Sequence, residues 1–363
     1  TKVHEYRVGM TPESVRELVE DGHTVTVETG AGAGINASDA DYRDAGAAIA
    51  GGPGDVFAVA DMIVKVKEPS PEERAMLREG QILFTYLHLA PDPEQAKDLV
   101  ASGAVCIAYE TVTDSDGGLP LLKPMSQVAG RMSIQVGAHC LEKEAGGRGI
   151  LLGGVPGVMP GKVVVIGGGV VVFYAAQMAA GLGADTVVLD RNPDVLEQLS
   201  NHFEARIRTR FSSRSNLADS VRTADLVIGA VLVAGAKTPK LVTRAMLSEM
   251  KPGAVLVDVA VDQGGCFETS RPTSHADPTF VVDGIVHYCV ANMPGALPRT
   301  STYALNNVTL PHISAIAQHG WQEACRRNPH LANGLNVQAG KVTHPAVADA
   351  LGYDLTALED VLA

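Results

Sequence analysis

The segment Lys162–Asn192, KVVVIGGGVVVFYAAQMAAGLGADTVVLDRN, decides how this chain is read. Lys162–Ile166 is an apolar, β-branched run, which predicts a buried strand. A glycine turn follows, then a stretch long enough for a helix, then a second apolar run ending in Asp190. This is the strand–turn–helix–strand unit that binds dinucleotides. Gly167 and Gly169 let the backbone turn tightly and approach a pyrophosphate, whose charge the helix N-terminus favours. Val170 and Val171 open that helix and join the expected cofactor contacts. Asp190 lies 23 residues after Gly167, where a carboxylate accepts hydrogen bonds from ribose hydroxyls. The acid favours NAD by repelling a 2′-phosphate, while Arg191 beside it offers a partial counter-charge. The competing account is an ordinary βαβ unit with a glycine-rich turn.

One position breaks the fingerprint. The third glycine is replaced by Val172, followed by Phe173 and Tyr174. That glycine permits close packing of helix on strand, so Val172 is expected to push the helix outward or to require a smaller partner.

Composition bounds the rest. A chain of 363 residues is expected to form two domains, each with its own core. The formal net charge of −12 argues against a nucleic-acid partner, which needs a basic footprint. No apolar run approaches the ~18–20 residues that span a bilayer, and no signal peptide opens the sequence. The five cysteines, Cys106, Cys140, Cys266, Cys289 and Cys325, are scattered and lack CxxC spacing. They fit reduced thiols in a cytoplasmic protein, and no metal site is expected.

The rhythm along the chain is strand and helix in alternation. Ahead of the fingerprint it runs through a helix at 13–21 and strands at 23–28, 60–66, 81–86 and 105–109, with helices at 71–77 and 93–102 between them. After it come strands at 206–211, 225–231 and 254–259, and a further one within 279–290. Such alternation predicts parallel sheets. The fold class expected is α/β, with two doubly wound domains: a Rossmann NAD-binding domain at 125–298, and a discontinuous Rossmann-like substrate domain at 1–124 and 299–363. The long helical stretch 126–144 leads into the nucleotide unit. A second, at 301–306 and 310–327, returns to the first half.

Several polar residues stand where such a fold places chemistry. Arg7 precedes a helix start and is able to hold a small carboxylate, though by position alone a solvated surface arginine is the favoured account. Lys67 ends VKVKEP, where it either polarises a carbonyl oxygen or pairs with Glu68. His88 ends FTYLHL, and imidazole passes protons near neutral pH; a satisfied core histidine is the alternative. Asp258 and Asp262 flank a strand end in LVDVAVDQGG. Either carboxylate is able to offset a developing cation, and Asp258 is the better candidate for capping the glycine turn. Taken together, these groups describe a cleft beside a nicotinamide.

The residues also match a family. The motifs are EYRV (5–8), VKVKEP (64–69), LFTYLHL (83–89), IAYET (107–111), LPLLKPM (119–125), AGR (129–131), GRGILLGGVP (147–156), ADLVIGAVLV (224–233), VDVAVDQGGC (257–266), VANMP (290–294) and TSTYALN (300–306). In this order they make the chain resemble bacterial alanine dehydrogenases over essentially its whole length. More distantly it is similar to the NAD-binding part of proton-translocating transhydrogenases.

The resemblance implies a reaction and roles. L-alanine, NAD and water give pyruvate, ammonium and NADH, reversibly. It makes Arg7 the carboxylate anchor, Lys67 the hydrogen-bond donor to the substrate carbonyl, His88 the general acid–base and Asp262 the second catalytic group. Ser126, Asp190, Ser212, Val231, Leu232, the segment Val259 to Asp262, and Val290, Asn292 and Met293 are implied to contact NAD. It implies a homo-oligomer, with a hexamer favoured, packed through long helices such as 126–144, whose Ala129, Gly130, Ser133, Gly137 and Ala138 suit close contact.

Two departures carry expectations. Family members open with a short strand before the segment corresponding to Thr1, so the first sheet is expected to be one strand short and Arg7 less well held. Val172-Phe173-Tyr174 stands where the family has glycine and small residues. Two alternative functions stand beside this: a transhydrogenase-type NAD(H)-binding component, from the more distant similarity, and a catalytically dead NAD-binding homologue, suggested by these departures.

Overall fold

The computed structural model describes residues 4–231 and 238–363. The chain divides into two compact units, one of residues 1–125 and 295–363, the other of 126–294.

The first unit opens with helix Pro12–Glu20, whose N-cap Thr11 accepts the Ser14 N–H and whose first position is proline. Strands β1 (Thr26–Glu28) and β2 (Ala48–Ala50) form a separate parallel pair. Strands β3 (Met62–Val64), β4 (Ile82–Thr85) and β5 (Val105–Ala108) form a parallel run. A cavity of about 1640 Å³ is lined by residues of both β1 and β3, and also by Arg7 and Lys67. Strands β4 and β5 are buried throughout, as uninterrupted apolar runs in a covered parallel sheet should be.

The second unit holds β6 (Lys162–Ile166), β7 (Asp185–Asp190), β8 (Arg208–Phe211), β9 (Leu226–Gly229) and β10 (Val255–Asp258). A hairpin of β11 (Thr279–Val282) and β12 (Ile285–Tyr288) completes it. The order β11-β12-β10-β9-β6-β7-β8 reverses direction at β6, the doubly wound arrangement, with β11 antiparallel at one edge. The sequence reading placed one strand in 279–290. The hairpin arises at Asp283-Gly284, both at positive φ (52° and 80°), a two-residue turn that fits strand twist.

Back in the first unit, β13 (Leu335–Gln338) and β14 (Lys341–Val342) extend the sheet to the order β14-β13-β5-β4-β3, antiparallel where they join. The return helix is continuous over Pro298–His319 and breaks at Gly320 (φ 75°), not within 307–309. Pro311 lies inside it and does not end it.

The small residues of helix Lys123–Cys140 are used inside the second unit. A Cβ on Gly130 would lie 2.4 Å from the Val171 carbonyl oxygen, and one on Gly137 would lie 2.6 Å from Leu226. These two glycines therefore serve packing within the chain.

Candidate active-site residues and the family

In the first unit, His88 follows β4 in the left-handed region, at φ 50°, an uncommon conformation for histidine. Its neighbours account for it. The register pairs Thr85 with Ala108, so two residues on, Leu87 meets Glu110. The Glu110 carboxylate accepts the Leu87 N–H at 3.2 Å and the His88 N–H at 2.5 Å, and lies 3.8 Å from His88 Nδ1. On the other side, Gln95 Nε2 donates to the Leu87 carbonyl at 2.5 Å. Gln95 is fully buried, and Asp92 caps its helix by accepting the Gln95 N–H. The imidazole stacks parallel to Tyr86 at 5.8 Å and stays 45% exposed. A histidine presented to solvent while its backbone is pinned from both sides is not the core histidine of the competing account.

The expectation of a loosely held Arg7 does not hold. The residue is buried, with Nε and Nη2 donating to the two Glu5 carboxylate oxygens at 2.7 and 2.6 Å. Nη1 points at Met125 Sδ, 3.2 Å away. Arg7 is thus no surface residue, and Glu5 fixes the plane of its guanidinium. Lys67 lies just past β3, with Nζ 3.5 Å from Glu68 Oε2 and its carbonyl accepting the Thr85 hydroxyl. Tyr86 is buried, its hydroxyl donating to the Leu121 carbonyl, and burial raises its pKa while the Arg7 charge opposes the rise.

In the second unit, the strand order gathers one edge. Asp190 ends β7, Gly167, Ser212, Val231, Val259 and Val290 follow the C-terminal ends of strands parallel to it, and Asp262 lies on a short 3-10 turn after β10. Leu232 lies outside the described residues. Ser126 is half-buried on helix Lys123–Cys140. Val290 and Met293 are buried. Asn292 adopts φ 59°, and its carbonyl lies 3.2 Å from His275 Nε2.

The glycine turn works differently at its three positions. Gly167 has φ 120°, which only glycine adopts readily. Gly168 is tight, since a Cβ there would stand 2.5 Å from Val195 and 2.8 Å from Asp190 Oδ2. Gly169 caps helix Val170–Gly181 without a side-chain bond, and a Cβ on it would meet no atom within 4 Å. Open space at a helix N-terminus with unsatisfied N–H groups is where an anion is received. The Asp190 carboxylate accepts the Asn192 N–H at 2.7 Å beside this turn. The residues present therefore fit a dinucleotide.

Val172 meets the smaller partner it was expected to require. It is fully buried against Gly167, with Cγ2 3.2 Å from where a Gly167 Cβ would be. Phe173 packs on His202 and Phe203, while Tyr174 accepts from Gln127 Nε2 and lies under the Arg131 guanidinium. The bulk is absorbed by aromatic contacts on both sides of the helix.

Sequence reasoning missed Glu5, Tyr86, Gln95, Glu110 and Met125. Glu110 was accessible through strand register; Gln95 and Met125 carried no sequence signal.

A two-unit α/β chain with a doubly wound sheet, a glycine turn at its reversal point and a backbone-pinned histidine on the other unit defines a dinucleotide-fold protein with a separate polar site. The chain belongs to the alanine dehydrogenase/PNT family. The profile of the family's N-terminal domain matches residues 1–129 and that of its C-terminal domain residues 133–345. The alanine dehydrogenase of Halomonas elongata is 59% identical over 353 residues, 97% of this chain and 95% of that protein. A solved L-alanine dehydrogenase superposes with TM-score 0.93 at 50% identity, covering 100% of this chain and 98% of the other. The transhydrogenase of Sinorhizobium meliloti superposes with TM-score 0.81 at 26% identity, covering 95% and 97%.

Proposed function

We infer that this chain catalyses the reversible, NAD-dependent oxidative deamination of L-alanine to pyruvate and ammonium. Full-length identity to curated alanine dehydrogenases carries this reading, and the chain carries Arg7, Lys67, His88 and Asp262, the groups the resemblance assigns to the reaction. The greater similarity to alanine dehydrogenases than to the transhydrogenase favours it over a transhydrogenase component. Retention of all these groups disfavours a dead homologue.

The roles are those the family resemblance implies. NAD, when bound, supplies the hydride acceptor for the alanine Cα. Gly167, Gly169, Val170 and Val171 would receive the pyrophosphate, and Asp190 the ribose hydroxyls. Ser126, Ser212, Val231, Leu232, Val259, Val290, Asn292 and Met293 would complete that binding surface. Arg7, its guanidinium oriented by Glu5, holds the substrate carboxylate. Lys67 donates to the carbonyl oxygen and disfavours a second positive charge at the reacting carbon. His88 takes a proton from the water that adds to the iminium carbon, and in the reverse direction returns it to the departing hydroxyl. Asp262 offsets the iminium charge.

The domain assignment proposed from the sequence is an NAD-binding domain at 125–298 and a substrate domain at 1–124 with 299–363. The cellular location proposed is cytoplasmic. Consistent with this, no helix among the described residues is long and apolar enough to cross a membrane. All five cysteines are free and buried, and burial pushes the Cys106 thiol up to about 12.

A homohexamer is proposed. Leu151, Val155, Val158 and Met159 support self-association: these large apolar side chains are exposed close together in sequence, Met159 by 84%. Mass measurement in solution tests it, and a monomer at working concentration would remove it.

Turnover tests the function itself: NADH should be consumed only when pyruvate and ammonium are both present. NADH binding without consumption would favour the alternatives.

A further inference from the structure

We propose that Lys240 is a positioning residue for Asp262, acting as the cationic half of a clamp on the loop that carries it. The proposal rests on the catalytic reading of Asp262 given above.

The loop after β10 is held from below by an anion. Asp258 is fully buried, and its carboxylate accepts the N–H groups of Ala260 (3.1 Å), Cys266 (2.7 Å) and Phe267 (3.3 Å) as well as the Ser270 hydroxyl. The loop closes so tightly on this carboxylate that a Cβ on Gly265 would lie 2.6 Å from Asp258 Oδ2. Burial raises the Asp258 pKa, and the converging donors oppose the rise.

Its carbonyl groups converge the other way, on Lys240. The ammonium donates to the carbonyl oxygens of Gly264, Gly265 (3.1 Å) and Phe267 (3.1 Å). Carbonyl dipoles aimed at one point repel one another, and a cation at that point turns repulsion into attraction. The segment around Lys240 is fastened to the same loop by its backbone. Thr238 N–H donates to the Gln263 carbonyl at 3.2 Å, and Leu241 N–H to the Cys266 carbonyl at 2.7 Å. The short turn Val261–Gln263 that presents Asp262 thus lies between an anion gathering N–H groups and a cation gathering carbonyls. Asp262 itself is exposed. Its position is set by the backbone alone, and the clamp sets the backbone. Cys266 also ties the loop to Val231, whose N–H lies 3.4 Å from the thiol sulfur.

The test compares Lys240→Met, Lys240→Arg and Asp262→Asn with the parent in reductive amination, with NADH affinity followed by fluorescence and folding by thermal melting. Lys240→Met should lower kcat by about tenfold or more, the scale of a sub-ångström misplacement, while NADH Kd stays within about twofold and KM for pyruvate changes little. Lys240→Arg should recover most of kcat, because a guanidinium still donates to several carbonyls. A folded Lys240→Met enzyme with parental kcat overturns the clamp, provided Asp262→Asn has lost activity. Parental activity in Asp262→Asn overturns the reading of Asp262 instead. If Lys240→Met does not fold, Ser270→Ala loosens the Asp258 half of the clamp. A lowered kcat at unchanged NADH affinity then supports the clamp, and parental kcat overturns it.

Discussion

Glu110 holds His88 through the backbone first and the side chain second: its carboxylate accepts the His88 N–H at 2.5 Å and lies 3.8 Å from Nδ1. One acid thus fixes an unusual backbone conformation and faces the imidazole proposed as the general acid–base. The two roles separate by mutation. Glu110→Gln keeps an oxygen for the N–H groups but removes the charge, and should lower kcat with little change in melting temperature. Glu110→Ala also strands the Leu87 and His88 N–H groups and should cost a further ~1–3 kcal/mol in stability. Equal melting temperatures for the two variants would show that the backbone bonds do not matter.

His88→Ala should abolish turnover in both directions and leave NADH affinity nearly unchanged, since the residue is carried by the first unit and the glycine turn by the second. Fluorescence titration with NADH checks this. Loss of both properties together would mean that His88 does not have the role assigned to it.

Arg7→Lys should raise KM for pyruvate by about tenfold to a hundredfold, the worth of a charge-assisted hydrogen bond. A lysine cannot match the two Glu5 oxygens and a substrate carboxylate at once. An unchanged KM with lowered kcat would move Arg7 from anchoring to chemistry.

Gly168→Ala and Gly169→Ala should separate folding from cofactor binding. A methyl at 168 collides with Val195 and Asp190, so that variant should melt lower without any ligand. A methyl at 169 meets open space, so its melting temperature should stay close to that of the parent while NADH affinity falls. Parental NADH affinity in Gly169→Ala would place the pyrophosphate elsewhere.

Stability should fall on mild acidification. Burial depresses the pKa of His287, His312 and His344 below the ordinary 6.5. Just below 6.5 the unfolded chain therefore binds protons that the folded chain does not, and stability rises with pH across that window. The contribution is complete above 6.5 and is lost as pH drops through the folded values. Melting temperatures measured from pH 7 to pH 5 check the sign, and a flat profile contradicts it.

How much of this was readable from sequence depends on the range of the interaction. The fingerprint strand Lys162–Ile166 and helices Pro93–Ser102 and Pro193–Phe203 fall where periodicity and caps put them, because local pattern determines them. Strands β13 and β14 gave no such pattern, being short and added antiparallel to a distant strand. Asp283-Gly284 is a local turn signal, yet apolar pattern alone marks a single strand within 279–290 where the structure has a hairpin. Val172 was read correctly as an intrusion, but its outcome depended on Gly167 lying opposite and on Phe203 meeting Phe173, contacts no local rule supplies. At the site, residue type and position at a strand end or helix start nominate Arg7, Lys67, His88 and the pair Asp258 and Asp262 only as a group, and the family resemblance assigns their roles. Of their supports, Glu5, Glu68 and Tyr86 are near neighbours in the chain, whereas Glu110, Met125 and Lys240 lie farther off and are visible only once register and packing are known.

The central claim is that this chain makes alanine from pyruvate and ammonium at the expense of NADH. Following NADH absorbance with pyruvate and ammonium present, and each omitted in turn, tests it most directly. Consumption that requires both is predicted. No consumption, with NADH binding still detectable, would contradict it and leave a nucleotide-binding chain without this chemistry.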